Sequence, residues 1–264
     1  MVGVTPGAEA AMVVSARDNL RDGPPVRLWA GDSAALLGGV ATGCVDLVVT
    51  SPPYNIGKAY ERRQPLDAYA EAMAPIVREV ARVTADPGFV AWQVGNYVRK
   101  GEVYPLDYLF IPMFQAAGLN LFRRVIWHYR HGLHCTHRFS GRYETVLIFG
   151  RGGWDDADRP AQLAALDDQP GGDVWDITNV KANHPERIGG HPCQYPEELV
   201  RRVIASLTAP GAMVLDPFVG SGTTAIVASR LSRRCLGIDL SEEYIEMARA
   251  RLAAGNPLFS GIAA

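Results

Sequence analysis

Met213-Val214-Leu215-Asp216-Pro217-Phe218-Val219-Gly220-Ser221-Gly222-Thr223-Thr224 reads as a short apolar strand, a glycine turn and the opening of a helix. Glycines let the backbone approach a ligand closely, and a helix N-terminus offers unpaired N–H groups. The Lys-Ser/Thr ending of a phosphate loop is missing, so the turn is not one. Outward from it, Glu197–Leu207 and Thr223–Leu231 read as helices, Cys235–Ile238 as a strand and Glu242–Leu252 as a helix. Alternating elements of these lengths predict an α/β fold with a mostly parallel, doubly wound sheet. The strand after the turn ends in Gly237-Ile238-Asp239. An acid about twenty residues beyond the glycines suits two ribose hydroxyls and points to a nucleoside-type cofactor. Capping of the helix that follows Ser241 is a second use for Asp239, and the two are compatible.

Nearer the N-terminus, Val45–Thr50 (VDLVVT) is β-branched and almost continuously apolar, as in a strand buried on both faces. It stops at Ser51-Pro52-Pro53-Tyr54, which places these residues at the carboxyl edge of the sheet, where ligands bind in such folds. Consecutive prolines have no N–H and a stiff backbone, so their carbonyls stand as fixed acceptors, and the Ser51 hydroxyl adds another. Such acceptors orient the protons of an amine and take up the positive charge that develops when it attacks an electrophilic methyl group. Tyr54 is placed to stack on a base flipped from a duplex. Taken alone, the same letters fit a proline-rich turn with a core tyrosine.

The intervening segments extend this plan. Leu66 to Val83 recurs at helical spacing with Pro75 as an expected kink. Gly88–Val94 reads as a strand and Tyr104–Ala117 as a helix, while Leu119–Tyr129 and Tyr143–Phe149 form a predicted hairpin. Residues 1–25 read as a flexible arm and 26–264 as one domain.

The formal charge of −2 over 264 residues argues against a protein that coats nucleic acid by bulk charge. Cys44, Cys135, Cys193 and Cys235 form no CxxC pair, so neither a zinc site nor a disulfide framework is expected, and no metal is assigned. No apolar run approaches the roughly 18 residues of a membrane span, and no signal-peptide core precedes Pro25. The reading is of a soluble, cytoplasmic protein without a membrane partner.

Together, Thr50–Asn55 (TSPPYN) followed later by Asp216–Thr224 (DPFVGSGTT) resembles the bacterial β-class DNA amino-methyltransferases, in which the catalytic motif precedes the cofactor motif. Gly31-Asp32, Tyr143-Glu144, His191-Pro192 with Tyr195-Pro196, and Tyr244 with Arg251 extend the similarity over Leu28 to Leu252. The resemblance implies a Rossmann-like S-adenosylmethionine-dependent methyltransferase fold with circularly permuted motif order. It implies S-adenosyl-L-methionine as cofactor and double-stranded DNA as substrate, methylated at a flipped base in the nucleoid. It leaves room for a homodimer and a cognate restriction endonuclease. Asp216, Pro217, Phe218, Gly220, Ser221, Gly222 and Thr223 would line the cofactor pocket, with Asp239 on the ribose and Asp32 toward the adenine. Helix capping is an equal alternative for Asp32. Ser51, Pro52, Pro53 and Tyr54 would hold the base, and Asn55 would order the loop behind them. Serine at the head of the motif is typical of members acting on cytosine N4, Asp or Asn of those acting on adenine N6, so cytosine is favoured and adenine stays open. A catalytically silent DNA-binding relative is the alternative of a different class.

For DNA, Arg130, His134, His137, Arg138 and Arg142 lie in a basic stretch on the predicted hairpin, with a solvated charged hairpin as the competing reading. Lys58, Arg62 and Arg63 could grip phosphates from the loop after Asn55. In this class target recognition falls between Gly150 and Gly190, a short insertion here, within which Lys181 to Arg187 is the better base-reading candidate.

Overall fold

The computed structural model describes residues 20–58, 61, 63–129, 135–137, 139–151, 172–181, 183–190 and 193–255. The chain runs through β1 (Val26–Ala30), α1 (Ser33–Leu37), β2 (Val45–Thr50), α2 (Leu66–Val83), β3 (Thr84–Val94), β4 (Asn96–Arg99), β5 (Glu102–Pro105) and α3 (Leu106–Ala116). It continues through β6 (Asn120–His128), β7 (Tyr143–Gly150), β8 (Val174–Asp176), α4 (Glu197–Leu207), β9 (Met213–Asp216), α5 (Thr223–Arg230), β10 (Arg234–Asp239) and α6 (Glu242–Gly255).

Eight strands form one sheet in the order β1-β10-β9-β2-β3-β7-β6-β8. Neighbours from β1 to β3 are parallel, β7 runs antiparallel to β3 and β6, and β8 lies parallel to β6 at the edge. The β6–β7 pair is the expected antiparallel hairpin. On β2, Val45 and Val48 enter one core while Leu47 and Val49 enter the other, which explains its almost unbroken apolar run. Side chains of α1, α2 and α3 cover the first face, and those of α4, α5 and α6 the second. α2 buries Tyr69, Met73, Ile76, Val77 and Val80, the stripe its spacing predicts, and carries Pro75 within it.

From β2 the chain passes through α2 to β3 on one side, and from β9 through α5 to β10 on the other. Strand order therefore reverses between β2 and β9, and the crevice beyond their carboxyl ends is the natural ligand site of such a sheet. Thr50 and Asp216, the last residues of these strands, stand at its base.

Three expectations are corrected and one strand is added. The helix read from Tyr104 begins at Leu106, because Tyr104 and Pro105 pair with Tyr97 and Asn96 in a β4–β5 hairpin. Lys100 and Gly101 both take positive φ there, the signature of a tight hairpin turn. β3 starts at Thr84 rather than Gly88, and β8 is an edge strand not read from sequence. Residues 20–25, read as part of the arm, are packed on the domain: Leu20 is buried in the core and Arg21 pairs with Asp46 at 2.7 Å. The carbonyls of Gly23 and Pro24 accept from Arg234, and that of Pro25 from the Cys235 amide. Residues 1–19 lie outside the described residues. Among the described residues no helix is long and apolar enough to cross a membrane, and no cluster of metal-ligating side chains is found.

Candidate active site

A cavity of about 560 Å³ opens over the crevice, within the range of about 300–1,000 Å³ that encloses ligands of drug size. It is lined both by Ser51, Pro52, Pro53 and Tyr54 and by Phe218, Gly220, Ser221, Thr223 and Asp239, with Asp32 at its margin. The two motifs read separately in the sequence thus share one space.

Asp216 is placed differently from expectation. It is fully buried, outside the cavity lining, and accepts from Thr50 Oγ1 and Thr224 Oγ1 at 2.6 Å each, and from the Tyr195 hydroxyl and Phe218 N at 3.0 Å. Tyr195 also hydrogen-bonds Thr224. Burial pushes the Asp216 carboxyl up to about 6, against the pull of its donors. It is the hub that fixes the Gly-rich turn to β2 rather than a wall of the pocket. Pro217 and Gly222 likewise stand behind the lining: the Pro217 carbonyl accepts from Ser33 Oγ at 2.6 Å. Gly222 has φ 84, and a Cβ there would lie 2.7 Å from that of Ala248. That glycine is demanded by the packing of α5 on α6.

The turn's remaining groups face the cavity. Gly220 N donates to Asp239 Oδ2 at 2.9 Å and Ser241 N to Oδ1 at 2.9 Å, so Asp239 ties the Gly-rich turn to the start of the next loop while lining the cavity. The cap of α6 is Ser241, whose Oγ accepts from Tyr244 N at 3.4 Å. Burial raises its carboxyl above the usual range, partly offset by these two amides. Asp32 also has both places: its Oδ1 accepts from Ala35 N at 2.8 Å as the N-cap of α1, while the side chain borders the cavity. Arg251, 13 % exposed, donates to the Ser221 carbonyl at 2.6 Å and to Thr223 Oγ1 at 3.2 Å, clamping the turn from α6. Leu240, 77 % exposed beside Asp239, gives the rim an apolar surface for a flat ring to cover. A carboxylate at ribose reach, exposed apolar surface and a glycine turn at a helix N-terminus fit a nucleoside-type cofactor.

At the proline turn, the carbonyl of Pro53 accepts from the Tyr69 hydroxyl at 2.6 Å and is thereby tethered to α2. One of the two proline carbonyls is thus already engaged within the protein, while Ser51, Pro52 and Pro53 all border the cavity. Ser51 Oγ donates to the Tyr54 hydroxyl at 3.1 Å, which donates to Glu144 Oε2 at 3.0 Å. Gln93 Nε2 donates to the same oxygen. Burial, then the charge of Glu144, pushes the Tyr54 hydroxyl well above its ordinary value. Asn55 orders the loop, as expected. Its amide donates to the Gln64 carbonyl and accepts from Gln64 N, both at 2.7 Å, and its own N–H donates to Glu61 Oε2 at 2.8 Å. Glu61 Oε1 collects Ile56 N at 2.8 Å and Gly57 N at 3.1 Å.

The DNA candidates are scattered more widely. Lys58, His137 and Lys181 are exposed, and Arg142 is half-buried ahead of β7. Arg63 is partly committed to the loop, donating to the Ile56 carbonyl at 2.9 Å and lying over the Tyr97 ring at 5.7 Å. Arg62, Arg130, His134 and Arg138 lie outside the described residues. Sequence reasoning missed Glu61, Tyr69, Gln93 and the placement of Glu144 beneath Tyr54. Only Glu144 carried a signal, an acid at the head of an apolar strand.

Fold and site together are those of a Rossmann-like transferase that works with a nucleoside-type cofactor. The chain belongs to the N6/N4 methyltransferase family of DNA methylases, whose model matches residues 45–250. It is 37 % identical over 253 residues to the type II methyltransferase M.BglII of Bacillus subtilis, spanning 88 % of this chain and 69 % of that one. Among solved structures, the Thermus thermophilus protein TTHA0409 complexed with S-adenosyl-L-methionine superposes with a TM-score of 0.69 at 27 % identity, over 88 % of this chain and 94 % of that one. The cytosine-N4-specific PvuII DNA methyltransferase shares the fold, with a TM-score of 0.74 at 24 % identity over 90 % of each chain.

Proposed function

We propose that this protein transfers a methyl group from S-adenosyl-L-methionine to the exocyclic N4 amine of cytosine in double-stranded DNA, with the base flipped into the cavity. The observation that carries the reading is the single cavity joining the Ser51–Tyr54 acceptor site to the Gly-rich crevice. The cofactor supplies an electrophilic methyl group on a sulfonium sulfur. Asp239 would bind its ribose, Asp32 and Phe218 its base, and Gly220, Ser221 and Thr223 the rest, each in the cavity lining. Ser51 Oγ and the Pro52 carbonyl would accept the amine hydrogens, which sets the amine's orientation and offsets its growing charge. The Tyr54 ring would stack on the base. Lys58, His137, Arg142 and Lys181 would meet DNA from separate loops, phosphate contacts being worth most where cations converge.

Ser51 at the head of the motif supports cytosine. The family's name spans both N6 and N4 chemistry, and adenine N6 is the alternative. The test is to incubate the protein with genomic DNA and methyl-labelled cofactor, digest to nucleosides and separate them. Label in N4-methylcytosine is expected. Label in N6-methyladenine would move the assignment to adenine, and label in neither, on DNA from several sources, would leave a catalytically silent relative.

A further inference from the structure

Ser51, Tyr54 and Glu144 form one directed file of hydrogen bonds at the edge of the cavity. A carboxylate only accepts, and a hydroxyl has one proton to give. With Glu144 charged, Tyr54 must donate to it, and Ser51 must then donate to Tyr54, as the distances of 3.0 and 3.1 Å record. The proton of Ser51 is therefore turned away from the cavity, and what its Oγ offers a base is lone pairs alone. The file is packed in place from below. A Cβ on Gly95 would come within 3.0 Å of the Tyr54 ring and 3.3 Å of the Glu144 carboxyl carbon. Gln93, at the end of β3, fixes Glu144 Oε2 from the side.

We propose that Ser51, Tyr54 and Glu144 are a proton wire that draws a proton off the amine as it is methylated and stores it on Glu144. The proposal rests on the reading of the site as an amino-methyltransferase, for either base. As the nitrogen lone pair forms the N–CH3 bond and the electron pair of the breaking S–CH3 bond stays on sulfur, one N–H bond breaks in the same step, its pair returning to nitrogen and its proton passing to Ser51 Oγ. Ser51 passes its own proton to the Tyr54 oxygen, and Tyr54 passes its proton to Glu144. Charge balances: a sulfonium, a neutral amine and a carboxylate become a thioether, a neutral methylated amine and a carboxylic acid. The wire then stands reversed, Glu144 donating to Tyr54 and Tyr54 to Ser51, with every bond kept because each hydroxyl both gives and accepts. After product leaves, the reverse hop hands the proton to water in the cavity and resets the file.

The surroundings suit Glu144 to this task. Burial raises its carboxyl above the ordinary range, partly offset by the bonds from Tyr54 and Gln93, so it holds a proton more readily than an exposed glutamate. Among the described residues, the titratable groups coupled to it are Tyr54 from the loop after β2 and Tyr129 just beyond β6, and Arg142 ahead of β7 acts on Tyr129. Burial, then the Glu144 charge, pushes the Tyr129 hydroxyl up to about 12, with Arg142 opposing. Neither tyrosine ionises near neutral pH, which leaves Glu144 as the group in this file that changes charge. Glu144 borders the same cavity, and in the wire it acts through Tyr54 and Ser51.

The test is single-turnover methyl transfer to duplex DNA across pH, with cofactor affinity measured separately by calorimetry. Glu144→Gln keeps an acceptor for Tyr54 and Gln93 but cannot take a proton. It is expected to bind cofactor within twofold of wild type and to transfer methyl at least tenfold more slowly. Wild-type rate should fall as acid protonates Glu144 beforehand, and Glu144→Gln should lack that limb. Tyr54→Phe, which keeps the ring and cuts the wire, should show the same loss. A Glu144→Gln rate within threefold of wild type with an unchanged pH profile overturns the wire and leaves Glu144 a tether for Tyr54. If Glu144→Gln binds no cofactor, Tyr54→Phe decides on the same threefold criterion. Wild-type protein that methylates no base takes down the reading of the site together with the wire, whereas an active wild type with an unimpaired variant takes down the wire alone.

Discussion

Thr50 Oγ1 donates to Asp216 Oδ1 at 2.6 Å, tying the last residue of β2 to the last residue of β9 across the point where strand order reverses. Both side chains are buried, so the bond is made where water cannot replace it. It fixes Ser51, one residue on, relative to Phe218 and Gly220 in the neighbouring turn. Thr50→Val keeps the shape and removes the donor. Leaving a buried carboxylate short of one partner should cost about 1–3 kcal/mol in urea unfolding. Methyl transfer should fall by more than cofactor affinity, since the defect lies between the two half-sites. An unchanged unfolding midpoint would show that Asp216 is held by its remaining donors alone.

The same carboxylate makes stability depend on pH. The Asp216 carboxyl is raised by burial to about 6 in the folded protein from 3.8. A folded-state value above the unfolded one means that the folded protein binds the extra proton. Its contribution to stability is then full below about pH 4 and is lost as pH rises through about 6. A difference of that size corresponds to roughly 3 kcal/mol. Relative to Asp216→Asn, which cannot titrate, wild type should lose stability between pH 4 and 7, by urea unfolding at matched ionic strength. A difference that grows with pH would mean that the four donors outweigh burial and lower the carboxyl instead.

Glu61 holds the loop beyond Tyr54 by accepting backbone N–H groups from Asn55, Ile56 and Gly57. Asn55, with φ 59, pairs both ways with Gln64 across the loop's neck. Glu61→Ala removes the acceptor of these N–H groups, and limited proteolysis between residues 55 and 65 should accelerate several-fold. KM for DNA should rise while cofactor affinity stays within twofold, because no cofactor-side residue touches Glu61 in this network. Equal rises in both constants would show that the loop supports the cofactor as well.

How far the sequence carried these conclusions depends on the range of the interactions involved. Val45–Thr50 and Met213–Asp216 were legible because strands buried on both faces write an apolar run, and Thr223 follows its glycines directly. The β4–β5 hairpin was not, since Tyr104-Pro105 looks like a helix start until Tyr97 and Asn96 are known to pair with it. At the site, the letters of Ser51–Tyr54 and Gly220–Asp239 were readable, but the direction of their hydrogen bonds was not. That Tyr69 takes the Pro53 carbonyl, and that Glu144 sits 90 residues from the Tyr54 it receives, are facts of tertiary contact with no local trace. The resemblance implies a pocket role for Asp216 because its motif is contiguous, whereas its side chain is buried behind the lining.

Asp32 allows cap and cofactor roles to be separated by one atom. Its Oδ1 accepts from Ala35 N at the N-terminus of α1, and the side chain also borders the cavity. Asparagine caps a helix about as well as aspartate, while alanine costs about 1 kcal/mol. Asp32→Asn should therefore melt within a degree or so of wild type, and Asp32→Ala visibly lower. If the carboxylate also binds the cofactor's adenine amine, Asp32→Asn puts a weaker, neutral acceptor there. A charge-assisted bond of about 1.5 kcal/mol or more is then lost, which is roughly tenfold in the dissociation constant measured by calorimetry. Wild-type affinity in Asp32→Asn, with weakened affinity confined to Asp32→Ala, would assign Asp32 to the helix alone and leave recognition of the adenine to Phe218 and Leu240.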